Sequence, residues 1–171
     1  LLYEYCLQQN IDHSQIGKWI VASSTNQIGR LEEIAKTANR NGCDEVYWLS
    51  RGMAKKHEPE LIAEKVLVSP RTGIIDSHGY MMSLVSDIES NGGSLVPNSR
   101  VTSGQSVAGQ IVLQVEGVVS CEIQARVVIN AAGILAPQLA NDFGCNNVPD
   151  MPIQGFAKGN YFSLSGKSPF K

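Results

Sequence analysis

The sequence predicts a mixed α/β fold in two parts, and the order of its periodic segments is the main observation. Helix and strand patterns alternate over residues 1–93, whereas short β-rich runs follow one another over residues 94–130. A helix pattern and a last strand pattern complete the chain. Because neither a doubly wound sheet nor a sandwich has this order, we expect a sheet with covering helices and a second part with its own sheet.

The first elements are recognised by their periodicity and by the residues at their ends. Residues 1–10 have a helix pattern, and residues 17–24 have a strand pattern. Ser24 and Gln27 have the spacing of a capping box, and Gly42 is suited to end the helix that they begin. One face of this helix carries its apolar residues: Ile28, Leu31, Ile34, Ala35 and Ala38.

Two short strands and two capped helices are predicted next. Residues 45–50 and 65–70 are rich in apolar and β-branched side chains, which favours strands. Ser50 is suited to cap a short helix between them, and Asp76 to cap a longer helix that ends at Gly92. The apolar residues of the longer helix recur at helical spacing: Met81, Leu84, Val85 and Ile88.

The second half contains strands followed by a helix and a final strand. The predicted strands are residues 94–97, 99–103, 109–115, 119–124, 126–130 and 158–165, and the predicted helix is residues 136–143. Val127, Val128 and Ile129 are β-branched and suit a pleated surface. The small residues Ala131, Ala132 and Gly133 come directly afterwards. They pack little and allow another group to approach the backbone closely.

Composition excludes several classes of protein. The chain has 171 residues, 43% of them hydrophobic and 18% charged, with a net charge of −2. This balance is typical of a globular protein without the basic surface of a nucleic-acid-binding protein, and no apolar run approaches the length of a membrane span. The cysteines are too scattered for a zinc or disulfide framework, so we expect idle thiols in a reducing compartment and no metal site: Cys6, Cys43, Cys121 and Cys145.

Seven short motifs occur in a characteristic order along the chain. They are Gly17-Lys18, Glu58-Pro59-Glu60-Leu61, Thr72 to Asp76, Gly92-Gly93, Asn98 to Val101, Ala131-Ala132-Gly133 and Lys158-Gly159-Asn160-Tyr161. In this order they resemble the D-amino-acid-oxidase (DAO) superfamily of FAD-dependent oxidoreductases, and within it the branch of L-2-hydroxyglutarate dehydrogenases and oxidases. Each motif alone is weak, whereas the ordered set is specific.

The resemblance implies an internal fragment of a two-domain flavoprotein. Residues 1–70 would belong mainly to an antiparallel-sheet substrate domain, residues 71–147 to the FAD-binding domain, and residues 148–171 again to the substrate domain. The family's glycine-rich turn that binds the pyrophosphate of FAD, and its C-terminal flavin-binding segment, have no counterpart in this sequence. We therefore expect the chain on its own to hold FAD weakly and to be inactive.

The resemblance also implies the site residues. The family places the equivalent of Val101 at the adenine end of FAD and the small residues beside the dinucleotide, which gives a predicted cofactor site of Val101, Ala131, Ala132, Gly133 and Leu135. Lys158 stands where the branch commonly has arginine and would attract a substrate carboxylate as a point charge. Tyr161 is the second predicted substrate residue.

No catalytic residue is identified from the sequence. His78, two residues after the capping Asp76, is a candidate for the base, and a solvent-exposed surface histidine is the alternative.

The predicted activity is oxidation of a small 2-hydroxy acid resembling L-2-hydroxyglutarate, with hydride transfer to the flavin. An amine or amino-acid oxidase of the glycine oxidase type, a relative of glycerol-3-phosphate dehydrogenase, and a noncatalytic remnant remain alternatives. The implied partners are a small carboxylate substrate and an electron acceptor, either quinone or oxygen, without nucleic acid or a transmembrane segment. We expect an intracellular location, in the cytoplasm or the mitochondrion.

Overall fold

The computed structural model describes residues 1–144 and 155–170, which divide into two compact units. The first unit comprises Leu1–Gly93 and the segment from Phe162 onward, and the second comprises Ser94–Tyr161. Mixed helix and antiparallel sheet confirm the predicted fold class. The assignment of residues 1–70 and 148–171 to a substrate domain, and of residues 71–147 to an FAD-binding domain, stays a prediction.

A three-stranded antiparallel sheet forms the centre of the first unit. Strands β2 (Lys18–Ala22), β3 (Tyr47–Leu49) and β4 (Lys65–Ser69) lie in the order β2-β4-β3. β1 (His13–Ser14) and β5 (Ile74–Ile75) form a separate antiparallel pair. The middle strand β4 is buried along its centre, which explains its unbroken apolar sequence.

Helices cover both faces of this sheet because successive side chains of β4 point in opposite directions. Leu67 packs with the apolar face of α2 (Ile28–Arg40), and Val66 and Val68 pack on the other face with Ala54 of α3 (Arg51–His57). These two apolar clusters form the core of the first unit.

The ends of the helices follow the predicted capping chemistry with one exception. Ser50 accepts a hydrogen bond from the backbone N–H of Met53, and Asp76 caps α4 (Ser77–Ser90). The predicted capping box is wrong by one residue, because a 3₁₀ turn (Thr25–Gln27) precedes α2 and the Gln27 Oε1 accepts from the N–H of Ser23, at 2.9 Å, instead of Ser24.

A hydrogen bond from Tyr5 joins the first helix, α1 (Leu2–Gln8), to α4. The Tyr5 hydroxyl donates to the Asp87 carboxylate at 2.7 Å and also contacts Ser83 Oγ at 2.9 Å. The pKa of the Tyr5 hydroxyl is raised. The contact with Ser83 lowers this pKa, but the hydrogen bond to Asp87 and desolvation together raise it by more.

A three-stranded antiparallel meander forms the second unit. Its strands are β6 (Arg100–Val107), β7 (Gln110–Glu116) and β8 (Cys121–Ala125). Ala108 and Gly109, at φ 49° and 80°, form the two-residue turn between β6 and β7, as the twist of a hairpin requires. The helix α5 (Ala136–Asp142) packs against β6 after a 3₁₀ turn (Gly133–Leu135).

Three of the predicted strands are wrong. Residues 94–97, 126–130 and 158–165 have no strand structure, and Val127 and Ile129 are 74% and 86% exposed. A strand requires a hydrogen-bonded neighbour, and none of the described strands pairs with these segments. The β-branched run before Ala131 is therefore extended chain rather than a strand in this structure.

The described cysteines are free thiols. Cys6 is buried, whereas Cys43 and Cys121 are exposed, and Cys145 lies outside the described residues. Over residues 1–144 and 155–170, no group of side chains is arranged to hold a metal ion. In the same ranges no helix has the length and hydropathy needed to cross a membrane.

An ion pair links α2 to the central strand. The Nζ of Lys65 lies 2.7 Å from the Glu32 Oε1 and 4.2 Å from the centroid of the Trp48 ring. The hydrogen bond and the charge of Lys65 lower the pKa of the Glu32 carboxyl below its ordinary value of 4.5.

This ion pair predicts a pH-dependent contribution to stability. Because the pKa of Glu32 is lowered on folding, the stabilisation is fully present above pH 4.5 and is lost as the pH falls through the folded-state pKa. We expect the difference in unfolding free energy between wild type and Glu32→Gln, measured by urea titration, to be constant from neutral pH to near 4.5 and to shrink below it. In a Lys65→Met background the pH-dependent effect of the substitution should be much smaller, because only the weaker charge interaction with Lys36 then lowers the pKa of Glu32. A difference that stays constant into acid would contradict this assignment.

Candidate cofactor-binding site

A cavity of about 300 Å³ lies in the second unit between β6 and α5. One wall comes from the start of β6, and the other comes from the turn before α5 and from one face of that helix. Three of the five predicted cofactor residues are among the residues that line it: Arg100, Val101, Thr102, Ala132, Leu135, Gln138, Leu139 and Asp142.

An irregularity in β6 helps to form the strand wall of the cavity. Val101 pairs with Val115 and Ser103 pairs with Gln114, so Thr102 is an extra residue in the ladder. The Thr102 hydroxyl donates to the carbonyl oxygen of Gln114 at 3.4 Å. Such bulges redirect side chains, and here the bulge occurs where the strand lines the cavity.

The turn that precedes α5 presents little side-chain bulk. Ala131, Ala132 and Gly133 are exposed, and no atom of residues 1–144 or 155–170 outside its chain neighbours lies within 4 Å of the position that a Cβ at Gly133 would take. The φ of Gly133 is +58°, a left-handed conformation that favours glycine. Ala132 lines the cavity, whereas Ala131 and Gly133 shape the turn without being lining residues.

The other predicted site residues do not lie at this cavity. His78 is exposed in the first turn of α4, within the first unit, where its backbone N–H donates to Asp76. Lys158 and Tyr161 are exposed, and residues 155–170 contain no strand, so the predicted placement of both on a strand is wrong. Their role in binding substrate stays a prediction.

Sequence reasoning missed the polar residues of the cavity. Gln138 and Asp142 follow Leu135 at i+3 and i+7, so the helical period from Leu135 was a usable signal for them. Arg100 gave no signal, because its place in the cavity depends on how α5 packs on β6. A guanidinium donates well to phosphate, and carboxylate and amide groups bond hydroxyl and amino groups. The polar side chains that line the cavity are therefore suited to a nucleotide.

Comparison with known proteins decides the family. A family model described as "FAD dependent oxidoreductase" (DAO) matches residues 1–169. The chain belongs to the DAO family. FAD is the cofactor of this family, which confirms the predicted cofactor class.

The most similar relatives include two mitochondrial L-2-hydroxyglutarate dehydrogenases. The Arabidopsis thaliana protein is 29% identical over 99% of this chain and 41% of its own length, and the Homo sapiens protein is 30% identical over 96% and 37%. This DAO-family chain therefore spans about two fifths of the length of the relatives that it matches.

Solved structures of flavoproteins share the fold. Glycine oxidase from Geobacillus kaustophilus matches with a TM-score of 0.63 at 22% identity, over 83% of this chain and 38% of the other. L-α-glycerophosphate oxidase from Mycoplasma pneumoniae, determined with FAD bound, matches with a TM-score of 0.60 at 21% identity, over 78% and 36%. At these identities the likeness establishes the fold alone.

The cavity fits one end of FAD rather than the whole molecule. Pockets for drug-sized ligands span roughly 300–1,000 Å³, and this cavity lies at the lower limit. Val101 on the strand wall and Leu135 and Leu139 on the helix wall are apolar side chains that suit a flat ring, and polar side chains also line the cavity. The residues of the DAO-family chain are therefore compatible with a nucleotide end of FAD.

The conformation of Gly133 predicts how substitutions there affect binding of FAD. Gly133→Val forces a β-branched residue into a left-handed conformation, at a cost of roughly 1–2 kcal/mol, and adds bulk where the cofactor is expected. Gly133→Asn adds bulk but tolerates that conformation. We expect both variants to bind less FAD than wild type, in protein made from the complete coding sequence, as measured by flavin absorbance per protein.

The variant Gly42→Val is a control that separates the effect of backbone strain from the effect of added bulk beside the cofactor. Gly42 has a φ of +77° at the end of α2 and is similarly open, so Gly42→Val should destabilise the fold without loss of flavin. Normal flavin content in Gly133→Asn would show that conformation alone matters and would contradict close approach of the cofactor.

Proposed function

We propose that this DAO-family chain is part of an FAD-dependent enzyme that oxidises a small 2-hydroxy acid of the L-2-hydroxyglutarate type. The observation that carries the proposal is the cavity between β6 and α5, where Val101, Ala132 and Leu135 converge. Support for the substrate class comes from relatives named L-2-hydroxyglutarate dehydrogenase that match 96–99% of the chain. Because both of these relatives are mitochondrial, we also propose an intracellular location.

Residues of the cavity, together with Ala131 and Gly133 of the adjoining turn, would bind and orient the cofactor. Val101, Ala131, Ala132, Gly133 and Leu135 would be the residues that FAD contacts. Burying about 100 Å² of apolar ring surface against the apolar side chains of the cavity is worth roughly 2.5 kcal/mol of binding free energy. Exclusion of water from the cavity would also strengthen hydrogen bonds from its polar lining side chains to the cofactor. When bound, FAD supplies the acceptor for the hydride of the substrate.

Lys158 and Tyr161 would serve the substrate rather than the cofactor. The ammonium group of Lys158 would attract the carboxylate that every 2-hydroxy acid carries, and Tyr161 would add a hydroxyl partner. His78 is retained as the candidate base, and the acceptor of the electrons is quinone or oxygen.

Substrate reduction of the flavin tests the proposed function directly. Protein from the complete coding sequence is mixed anaerobically with L-2-hydroxyglutarate, glycine, sarcosine or glycerol 3-phosphate, and the bleaching of the flavin is followed. We expect L-2-hydroxyglutarate to bleach it fastest. Faster bleaching by glycine or sarcosine would indicate an amine oxidase. Faster bleaching by glycerol 3-phosphate would indicate a relative of glycerol-3-phosphate dehydrogenase. A folded protein without flavin would indicate a noncatalytic remnant.

Substitution of Lys158 tests the proposed substrate anchor. A unit charge about 4 Å from a carboxylate in water contributes about 1 kcal/mol, which corresponds to about a fivefold change in affinity. Lys158→Met should therefore raise the KM for L-2-hydroxyglutarate about fivefold with little change in kcat, and Lys158→Arg should not. Lys167→Met, an exposed lysine of the same segment, is the matched control. An unchanged KM in Lys158→Met would remove this residue from the site.

A further inference from the structure

The side chain of Asn130 bonds to both ends of the turn that contains Ala131–Gly133. Its Nδ2 donates to the carbonyl oxygen of Ala136 at 2.8 Å, and its Oδ1 accepts from the backbone N–H of Ala132 at 3.3 Å. The hydrogen bond to Ala136 connects residues that are six positions apart in the sequence. One side chain therefore closes the turn between the extended segment and α5.

Packing contributes little to the shape of this turn. The side chains of Ala131 and Ala132 are single methyl groups on exposed residues, and in the described part of the chain no other residue packs beside Gly133. Backbone hydrogen bonds within the turn include one from the N–H of Leu135 to the carbonyl oxygen of Ala132, at 3.1 Å, and one from the N–H of Ala136 to the carbonyl oxygen of Gly133. Because exposed backbone without packing samples many conformations, the two bonds from Asn130 restrict it substantially.

Asn130 acts on the cavity through its neighbours. It is not one of the lining residues, but Ala132, which it bonds, lines the cavity, and Leu135 follows within the same closed turn. We propose that Asn130 is a positioning residue for FAD, holding Ala132 and Leu135 in the conformation that receives the cofactor. This inference rests on the proposed function, in which FAD occupies the cavity.

The expected effect follows from pre-organisation. When the binding conformation is only partly populated, the apparent Kd rises by the inverse of that population. Loss of two hydrogen bonds in a turn without packing lowers this population on the order of tenfold. Asn130→Ala should therefore raise the Kd for FAD on the order of tenfold.

A second variant tests whether both bonds are needed. Asn130→Asp keeps the oxygen that accepts from Ala132 but places a carboxylate oxygen opposite the carbonyl of Ala136, where the amide donated. The variant should therefore also raise the Kd for FAD. If Asn130→Asp binds as wild type does, the connection to Ala136 is unnecessary and the proposed closure of the turn is wrong.

The experiment removes FAD from protein made from the complete coding sequence and titrates it back, with flavin fluorescence as the readout. Asn91→Ala is the matched control, because the Asn91 Nδ2 donates to the carbonyl oxygen of Asp87 at 2.7 Å at the end of α4. Unfolding of the FAD-free variants is measured in parallel. We expect both alanine variants to lose similar stability and only Asn130→Ala to lose affinity for FAD.

The outcomes separate the positioning role from the function on which it rests. If Asn130→Ala has the Kd of wild type, or shifts it no more than Asn91→Ala does, the positioning role is overturned alone. If wild-type protein takes up no FAD, the proposed function is overturned and the inference with it.

Discussion

Antiparallel hydrogen bonding between β6 and β7 is the constraint on which the candidate site depends. The two-residue turn at Ala108 and Gly109 sets the register that pairs Ser103 with Gln114, and the extra residue Thr102 then shifts the ladder by one position, so that Val101 pairs with Val115. Gly104 lets α5 approach this ladder, because a Cβ there would lie 3.1 Å from the Phe143 ring. The cavity exists because the strand and the helix meet in this way.

Local chemistry explains which helices and strands were predictable. The end of α4 at Gly92, the caps at Ser50 and Asp76, and the buried run of β4 depend on residues close in sequence, and each was recognised. Residues 126–130 and 158–165 have equally strand-like composition. These two segments nevertheless form no strand in the structure. Composition therefore indicates only the ability to form a strand, whereas the strand itself requires a hydrogen-bonded partner that sequence periodicity does not identify.

The candidate site was predictable only in part, because some of its residues are brought together by contacts between separate elements. The small residues after a β-branched run drew attention to Ala132, and the resemblance to the DAO family supplied Val101 and Leu135. Arg100 became visible only after α5 had been placed on β6, because it comes from a separate element. The role of Asn130 depends on two hydrogen bonds whose partners lie on either side of a turn, and no periodicity indicates such a connection.

The role proposed for the second unit requires a nucleotide end of FAD to contact the cavity between β6 and α5. An experimental structure of the FAD-bound protein, made from the complete coding sequence, tests this claim most directly. We expect cofactor atoms within about 4 Å of Val101, Ala132 and Leu135, the distance of ordinary packing. A structure in which FAD lies elsewhere, with this cavity filled by protein side chains, would contradict it.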